Sequence, residues 1–167
     1  FQVNTEMISP IVEKILSYIQ PEHHDCLLDI YCGVGLFSKL LAPFFNRCIG
    51  IEISISAVDD YVANLDEFDN IEVYLGSAED VLPSLDVNPD VILVDPPRSG
   101  IANRAIEKII QMRSKLIAYI SCDPSSFARD TEKITKSGYH LQNIVPFDMF
   151  PQTHHLETVG FFTCNNE

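Results

Sequence analysis

The chain has 167 residues, 46% of them hydrophobic, which fits one domain with one buried core and leaves a second domain cramped. Its 24 Asp and Glu outnumber 11 Lys and Arg, a formal net charge of −13 that argues against this chain gripping nucleic acid unaided, because phosphate contacts need cations. Scattered Gly and Pro without repeats exclude solenoid and disordered readings, and neither a signal-peptide pattern nor an apolar run of about 18 residues is present.

Apolar spacing at three and four residues predicts an amphipathic helix over Met7 to Ile19. Cys26 to Tyr31 is a short apolar run closed by Gly33 and Gly35, a buried strand, and Leu36 to Phe45 reads as a helix. A strand over Arg47 to Ile51 leads to a helix capped by Ser54 or Ser56 and running to about Leu65. Ile71 to Tyr74 is a strand, Glu79 to Leu82 a short helix, and Asp90 to Val94 a strand ending in Asp95-Pro96-Pro97. A helix over Asn103 to Met112 and a strand over Lys115 to Ile120 follow. Pro124 to Ser137 is a helix stopped by Gly138; Tyr139 to Phe147 and Thr158 to Phe162 close the chain as strands, the latter antiparallel. Such strand–helix alternation predicts a mostly parallel α/β sheet with helices on both faces. Ligands then sit at the carboxyl ends of the strands, so the chemistry belongs to the residues just after each one.

The first such segment is Asp29-Ile30-Tyr31-Cys32-Gly33-Val34-Gly35, a strand entering Gly-x-Gly and then a helix. Gly33 and Gly35 permit a tight turn and close approach of backbone to a ligand. Glu52 ends the second strand, where a carboxylate can accept both hydroxyls of a ribose. A dinucleotide fingerprint wants a third glycine, but Ser38 stands at that position. Asp29, leading the turn, suits a nucleoside ligand that carries positive charge better than a pyrophosphate; a purely structural turn residue is the other reading.

The five cysteines are odd in number and lack a CxxC, and the histidines show no ligand spacing, so neither disulfides nor a metal site is expected and a cytoplasmic setting is the default. Cys122, in Ser121-Cys122-Asp123-Pro124, follows an apolar strand and opens a helix, whose dipole is expected to lower the thiol pKa. Cys122 is therefore the candidate nucleophile. Asp95 closes the preceding strand and can accept a hydrogen bond from a planar base. Glu157 precedes the last strand and can serve as a base if that hairpin returns to the carboxyl edge; otherwise it is a plain surface glutamate.

Together these segments resemble the RNA 5-methyluridine (uracil-C5) methyltransferase family. The matching pieces are Phe1-Gln2-Val3-Asn4, the Asp29 to Gly35 turn, Asp95-Pro96-Pro97-Arg98, Ser121-Cys122-Asp123-Pro124 with Ala128-Arg129-Asp130, Asp148-Met149-Phe150-Pro151 and His155-Leu156-Glu157. The resemblance implies a Rossmann-like class I methyltransferase fold and one catalytic domain over residues 1–167. The expected cofactor is S-adenosyl-L-methionine and the substrate a uridine of tRNA or rRNA, flipped out of its stack. Cys122 would add to C6 of the uracil, C5 would take the methyl group, and Glu157 would remove the C5 proton to release the enzyme. Gln2, Tyr31, Glu52 and Asp95 fall at cofactor positions, with Asp95 also facing the uracil and Arg129 steadying the catalytic segment. Leu36 and Ser77 depart from residues that some members carry, polar and Asn respectively. Ser77 remains a cofactor candidate. The family's usual RNA-binding barrel is expected upstream of Phe1 in a longer protein, and would supply the missing basic surface. Three other readings stay open: a methyltransferase for another substrate, a silent cofactor-binding domain, and a dinucleotide oxidoreductase, which Ser38 and Asp95-Pro96-Pro97 disfavour.

Overall fold

The computed structural model of the chain describes residues 5–19, 24–148 and 156–164. In order the elements are α1 (Thr5–Ile19), β1 (His24–Ile30), α2 (Leu36–Leu41), β2 (Phe45–Glu52), α3 (Ile55–Asn64), β3 (Ile71–Leu75) and α4 (Ala78–Val81). Then come β4 (Val91–Val94), α5 (Asn103–Gln111), β5 (Leu116–Ser121), α6 (Pro124–Lys136), β6 (His140–Asp148) and β7 (Leu156–Thr163). The strands form one sheet in the order β3-β2-β1-β4-β5-β7-β6. Pairs among β1 to β5 are parallel and β7 is antiparallel, as the sequence predicts, and the structure adds that β7 lies between β5 and β6.

Alternate residues of a strand face opposite sides, and both sides here are buried. Leu27, Cys48, Leu93, Ala118 and Phe161 pack on one side with Ile8, Ile11 and Ile15 of α1. Leu28, Ile49, Ile92, Ile117 and Phe162 pack on the other with Ile106 and Ile109 of α5 and Phe127 and Ile134 of α6. β4 and β5 are buried along their whole lengths, which is why they read as unbroken apolar runs. The chain runs outward from β1 to β2 and β3, then crosses back to β4 on the other side of β1. That reversal opens a crevice above the carboxyl ends of β1 and β4.

Some boundaries differ from the sequence pattern. The helix expected over Leu36 to Phe45 ends at Leu41, because Pro43 has no N–H to continue it, and Ala42–Phe44 is a 3-10 turn. Asp90 precedes β4 instead of starting it. Its carboxylate accepts from the Cys26 amide at 3.2 Å and from Lys115 Nζ at 2.6 Å, so its side chain clasps neighbouring strands.

Phe161 is fully buried in β7 and stacks on Tyr18 of α1, with ring centroids 4.7 Å apart. Phe161→Ala removes that ring from a packed core and should lower stability by about 3–5 kcal/mol in urea unfolding. A loss under about 1 kcal/mol would mean that α1 does not anchor the sheet through this contact.

Candidate active site

The turn after β1 is built from unusual backbone. Tyr31, Gly33 and Gly35 have φ of 65°, 54° and 85°. The Tyr31 and Cys32 amides both donate to the Ile51 carbonyl, at 2.9 and 3.1 Å, fastening the turn to β2. The two glycines are required for different reasons. A Cβ at Gly35 would land 2.4 Å from Leu65 and 2.7 Å from Tyr61, so α3 closes that position. Nothing lies within 4 Å of a Cβ at Gly33, whose surroundings are open.

Glu52 at the end of β2 braces this turn: Oε2 accepts from the Gly33 amide at 3.0 Å and Oε1 from the Ser54 amide at 2.8 Å. Each oxygen retains a lone pair for a further donor. Asp29 lies beneath, buried, with Oδ2 accepting from Ser38 Oγ at 2.6 Å. Burial pushes its carboxyl up to about 6, partly offset by Ser38. Asp29 thus acts on the crevice through its field and through the turn it holds.

A cleft of about 430 Å³ opens above these strand ends, lined by Tyr31, Glu52, Ser77, Asp95 and Pro97, with Ile51 and Ile53 as apolar wall. The Ser77 hydroxyl is already donated to Asp80 at 2.7 Å. Burial, then the charge of Glu79, push the Tyr31 phenol up to about 12, so it stays neutral. Asp95 is fastened to β1 by its amide, which donates to the Ile30 carbonyl at 3.2 Å. The residue is exposed toward the open cleft, yet its carboxyl is crowded by protein. That crowding, then Glu157 and Asp29, push it up to about 7.

Cys122 follows β5 and is half-buried. Ser121 pairs with Thr158 in the antiparallel β5–β7 register, so the next step along both strands sets Cys122 beside Glu157. Glu157 is half-buried and pairs with Phe147 on its other side. The dipole effect expected at Cys122 is not met. Asp123 is the N-cap of α6, its carboxylate accepting from the Ser126 amide at 2.7 Å, so negative charge already answers the helix start. Burial and Glu157 push the Cys122 thiol up, and Arg98 opposes them. Glu157, Arg98 and Asp95 therefore all act on Cys122, and of these four Asp95 lines the cleft.

Two residues to which the sequence pattern assigned no such role prove structural. Ser38 holds Asp29. Asp130, fully buried, accepts from the Ile101 amide at 2.8 Å, Tyr119 Oη at 3.0 Å and Arg129 Nε at 2.9 Å. Arg129 Nη2 also donates to the Ser99 carbonyl at 2.8 Å, so the pair pins the loop after Pro97 to β5 and α6. Gly100 (φ 80°) is needed there, since a Cβ would meet Arg129 at 2.4 Å and Asp130 at 2.5 Å. The signal was legible: Asp130 lies on the apolar stripe of its helix with Phe127 and Ile134, where a carboxylate must find donors. Gln2, Met149, Phe150, Pro151 and His155 lie outside the described residues. Among the described residues no His, Cys, Asp or Glu cluster could hold a metal, and no helix is long and apolar enough to cross a membrane.

Sheet order, reversed last strand and the crevice over β1 and β4 define the class I methyltransferase fold. Solved structures agree: N-methyltransferase NodS from Bradyrhizobium japonicum superposes with a TM-score of 0.81 at 14% identity, over 99% of this chain and 100% of that one, a likeness of fold alone. The tRNA (uracil-5-)-methyltransferase family model matches residues 1–91 and 84–164, and the chain belongs to that family. An uncharacterised RNA methyltransferase of Oceanobacillus iheyensis is 38% identical over 168 residues, covering 98% of this chain. The Pyrococcus abyssi tRNA (uracil-54, C5)-methyltransferase, solved in complex with S-adenosyl-L-homocysteine, is 29% identical with a TM-score of 0.79, over 98% of this chain and 40% of that one. This chain spans 37% of the Oceanobacillus relative and 38% of another in Streptomyces avermitilis, 36% identical over 164 residues and 96% of this chain.

The Asp29 environment has a pH consequence. Its folded-state pKa of about 6 lies above the ordinary 3.8, so folding favours the protonated form. The stabilisation is complete below about pH 4 and is lost as pH rises through 6. At about 1.4 kcal/mol per pH unit, the cost at neutral pH reaches about 2–3 kcal/mol. Asp29→Asn, which cannot ionise, should gain about that much on the unaltered protein between pH 4 and 7, read by urea unfolding at each pH. A stability difference that stays flat with pH would refute a buried, raised carboxyl.

Proposed function

We propose that this chain is the catalytic domain of an S-adenosyl-L-methionine-dependent RNA methyltransferase that acts on C5 of a uridine in tRNA or rRNA. One observation supports the chemistry: the β5–β7 register sets Cys122 beside Glu157, and both interact with Asp95, which lines the cleft. The family match and the S-adenosyl-L-homocysteine complex of the Pyrococcus relative support the cofactor.

The residues present fit that cofactor. Glu52 can accept ribose hydroxyls while keeping its backbone bonds, Ile51 and Ile53 offer an apolar wall, and the acidic set of Asp29, Glu52 and Asp95 favours a cation. When bound, the cofactor supplies an electrophilic methyl group on a positively charged sulfur. The Cys122 sulfur adds to C6 of the uracil and turns the ring into an enolate, so that C5 becomes nucleophilic. After transfer, C5 carries both the methyl group and its original hydrogen. Glu157 takes that proton, the C6–S bond breaks, and Cys122 is released. Asp95, with a carboxyl raised to about 7, can hold a proton to share with a base edge. Arg129, through Asp130 and Ser99, steadies the wall of the site. Because the Cys122 thiol is raised, positive charge near it is what makes thiolate available: Arg98 from the protein and the sulfonium from the ligand.

Glu52→Ala should weaken S-adenosyl-L-homocysteine binding by about 1.5–3 kcal/mol in calorimetry, as expected for hydrogen bonds to a charged group. Unchanged affinity with an intact fold would remove Glu52 from the cofactor site.

The nucleophile is tested with 5-fluorouridine RNA. Fluorine cannot leave C5 as a cation, so the methylated adduct persists. With cofactor present, a protein–RNA band should survive denaturation, and Cys122→Ala should abolish both band and turnover while cofactor binding is kept. Glu157→Gln should transfer one methyl group and then accumulate adduct on ordinary RNA. Full methylation by Cys122→Ala would refute the mechanism.

A further inference from the structure

The net charge conceals a sharp segregation. Residues 98–136 carry eight Lys and Arg against four Asp and Glu, whereas the rest of the chain carries three against twenty. Two of the eight are occupied elsewhere: Arg113 donates to the Ser137 carbonyl and lies over the Tyr139 ring, and Lys115 pairs with Asp90. The other six are Arg98, Arg104, Lys108, Lys133, Lys136 and Arg129, the last already engaged by Asp130 and the Ser99 carbonyl. Arg129, Lys133 and Lys136 are spaced four and three apart on α6, one stripe about 10 Å long at 1.5 Å per residue. Arg104 and Lys108 stand one turn apart on α5, and Arg98 stands at the rim of the cleft, close enough to act on Cys122.

This stripe lines a groove that is continuous with the site. The cofactor cleft shares Tyr31, Glu79 and Pro97 with a second cleft of about 490 Å³ that reaches Arg129 and Lys133. That cleft shares Asn103 and Lys133 with a third, of about 540 Å³, between α5 and α6, where Lys136 lies. The lysines hold only light partners. Lys133 Nζ donates to Asn103 Oδ1 at 2.5 Å, and the Lys136–Glu132 pair is well exposed on both sides, so it is weak and easily exchanged for another anion. Among the described residues, no carboxylate forms an ion pair with Arg98, Arg104 or Lys108.

We propose that the groove between α5 and α6 receives backbone phosphates of the RNA strand that carries the target uridine, leading it past Arg98 to Cys122. This rests on the RNA reading above and adds to it a direction of approach. Elsewhere the surface is strongly acidic and repels a polyanion, so the field steers RNA onto this face. Single-stranded RNA suits it, because the target base must be unstacked.

The test uses this chain with a fluorescent uridine-containing stem-loop RNA, by anisotropy between 50 and 200 mM salt. Lys133→Glu/Lys136→Glu should weaken binding at least tenfold at 50 mM salt. The milder Lys133→Gln/Lys136→Gln should reduce the slope of log affinity against log salt by about 1–1.5, the loss of two single-strand phosphate contacts. Lys14→Glu/Lys39→Glu, on α1 and α2, should leave RNA affinity within about twofold by the steering principle. S-adenosyl-L-homocysteine binding should be kept in every variant, which verifies the fold. Equal RNA affinity in groove and control variants overturns the proposal while the RNA reading stands. If the unaltered chain binds S-adenosyl-L-homocysteine but no RNA, the groove proposal is overturned while the RNA reading stands, because a chain of net charge −13 is not expected to grip RNA unaided. If it binds a polyglutamate peptide through these lysines and no RNA, the face is a protein-docking surface and the proposal is overturned.

Discussion

The antiparallel insertion of β7 between β5 and β6 is the constraint on which the site depends. Every parallel strand of the sheet delivers its last residues to the crevice, and β7 delivers its first. A residue just inside β7 therefore meets the residue just after β5, though 35 positions separate Cys122 from Glu157 in the chain. The pairing is rigid because β5 is buried along its whole length and Phe161 and Phe162 fill opposite sides of the sheet. A one-residue slip would turn Glu157 to the other face and put Thr158 beside Cys122.

The second organising feature is an excess of carboxylates in and under the crevice. Asp29 and Asp95 both have raised pKa values, Glu157 adds negative charge at the rim, and Glu52 braces the turn. Such a set is costly in a protein with nothing positive in the crevice and favourable once a cation enters it. The Cys122 thiol feels the same field and is raised with the carboxyls. Binding of a cation would thus stabilise the fold and lower the Cys122 thiol by one change in potential, which links cofactor loading to the state of the proposed nucleophile.

Much of this was legible in the sequence. Buried strands declared themselves as apolar runs, and of the residues after them Tyr31, Glu52 and Asp95 line one cleft, while Gly33 is hydrogen-bonded to Glu52 and Cys122 feels the charge of Asp95. The proximity of Glu157 could be read only conditionally, since strand pairing is long-range information and local spacing does not contain it. The Cys122 thiol is raised where its place before a helix predicts a lowering, because burial and Glu157 outweigh Arg98 and because Asp123, not Cys122, occupies the cap. Asp130 was passed over although a lone carboxylate on an apolar stripe is itself a signal; its donors come from three different elements, which composition cannot show. The net charge, read as a single number, hid the basic stretch that the fold gathers on α5 and α6.

The backbone at Tyr31 carries a lasting cost. A side chain other than glycine held at φ 65° is disfavoured by about 1–2 kcal/mol, and the two amides on the Ile51 carbonyl, with the packing of the Tyr31 ring on the core, offset that cost. Glycine at that position would relieve the strain and strip the cleft of its aromatic wall. The position therefore sets robustness against activity: selection for thermal endurance alone would drift toward the smaller residue, and selection for turnover would hold the larger one in place.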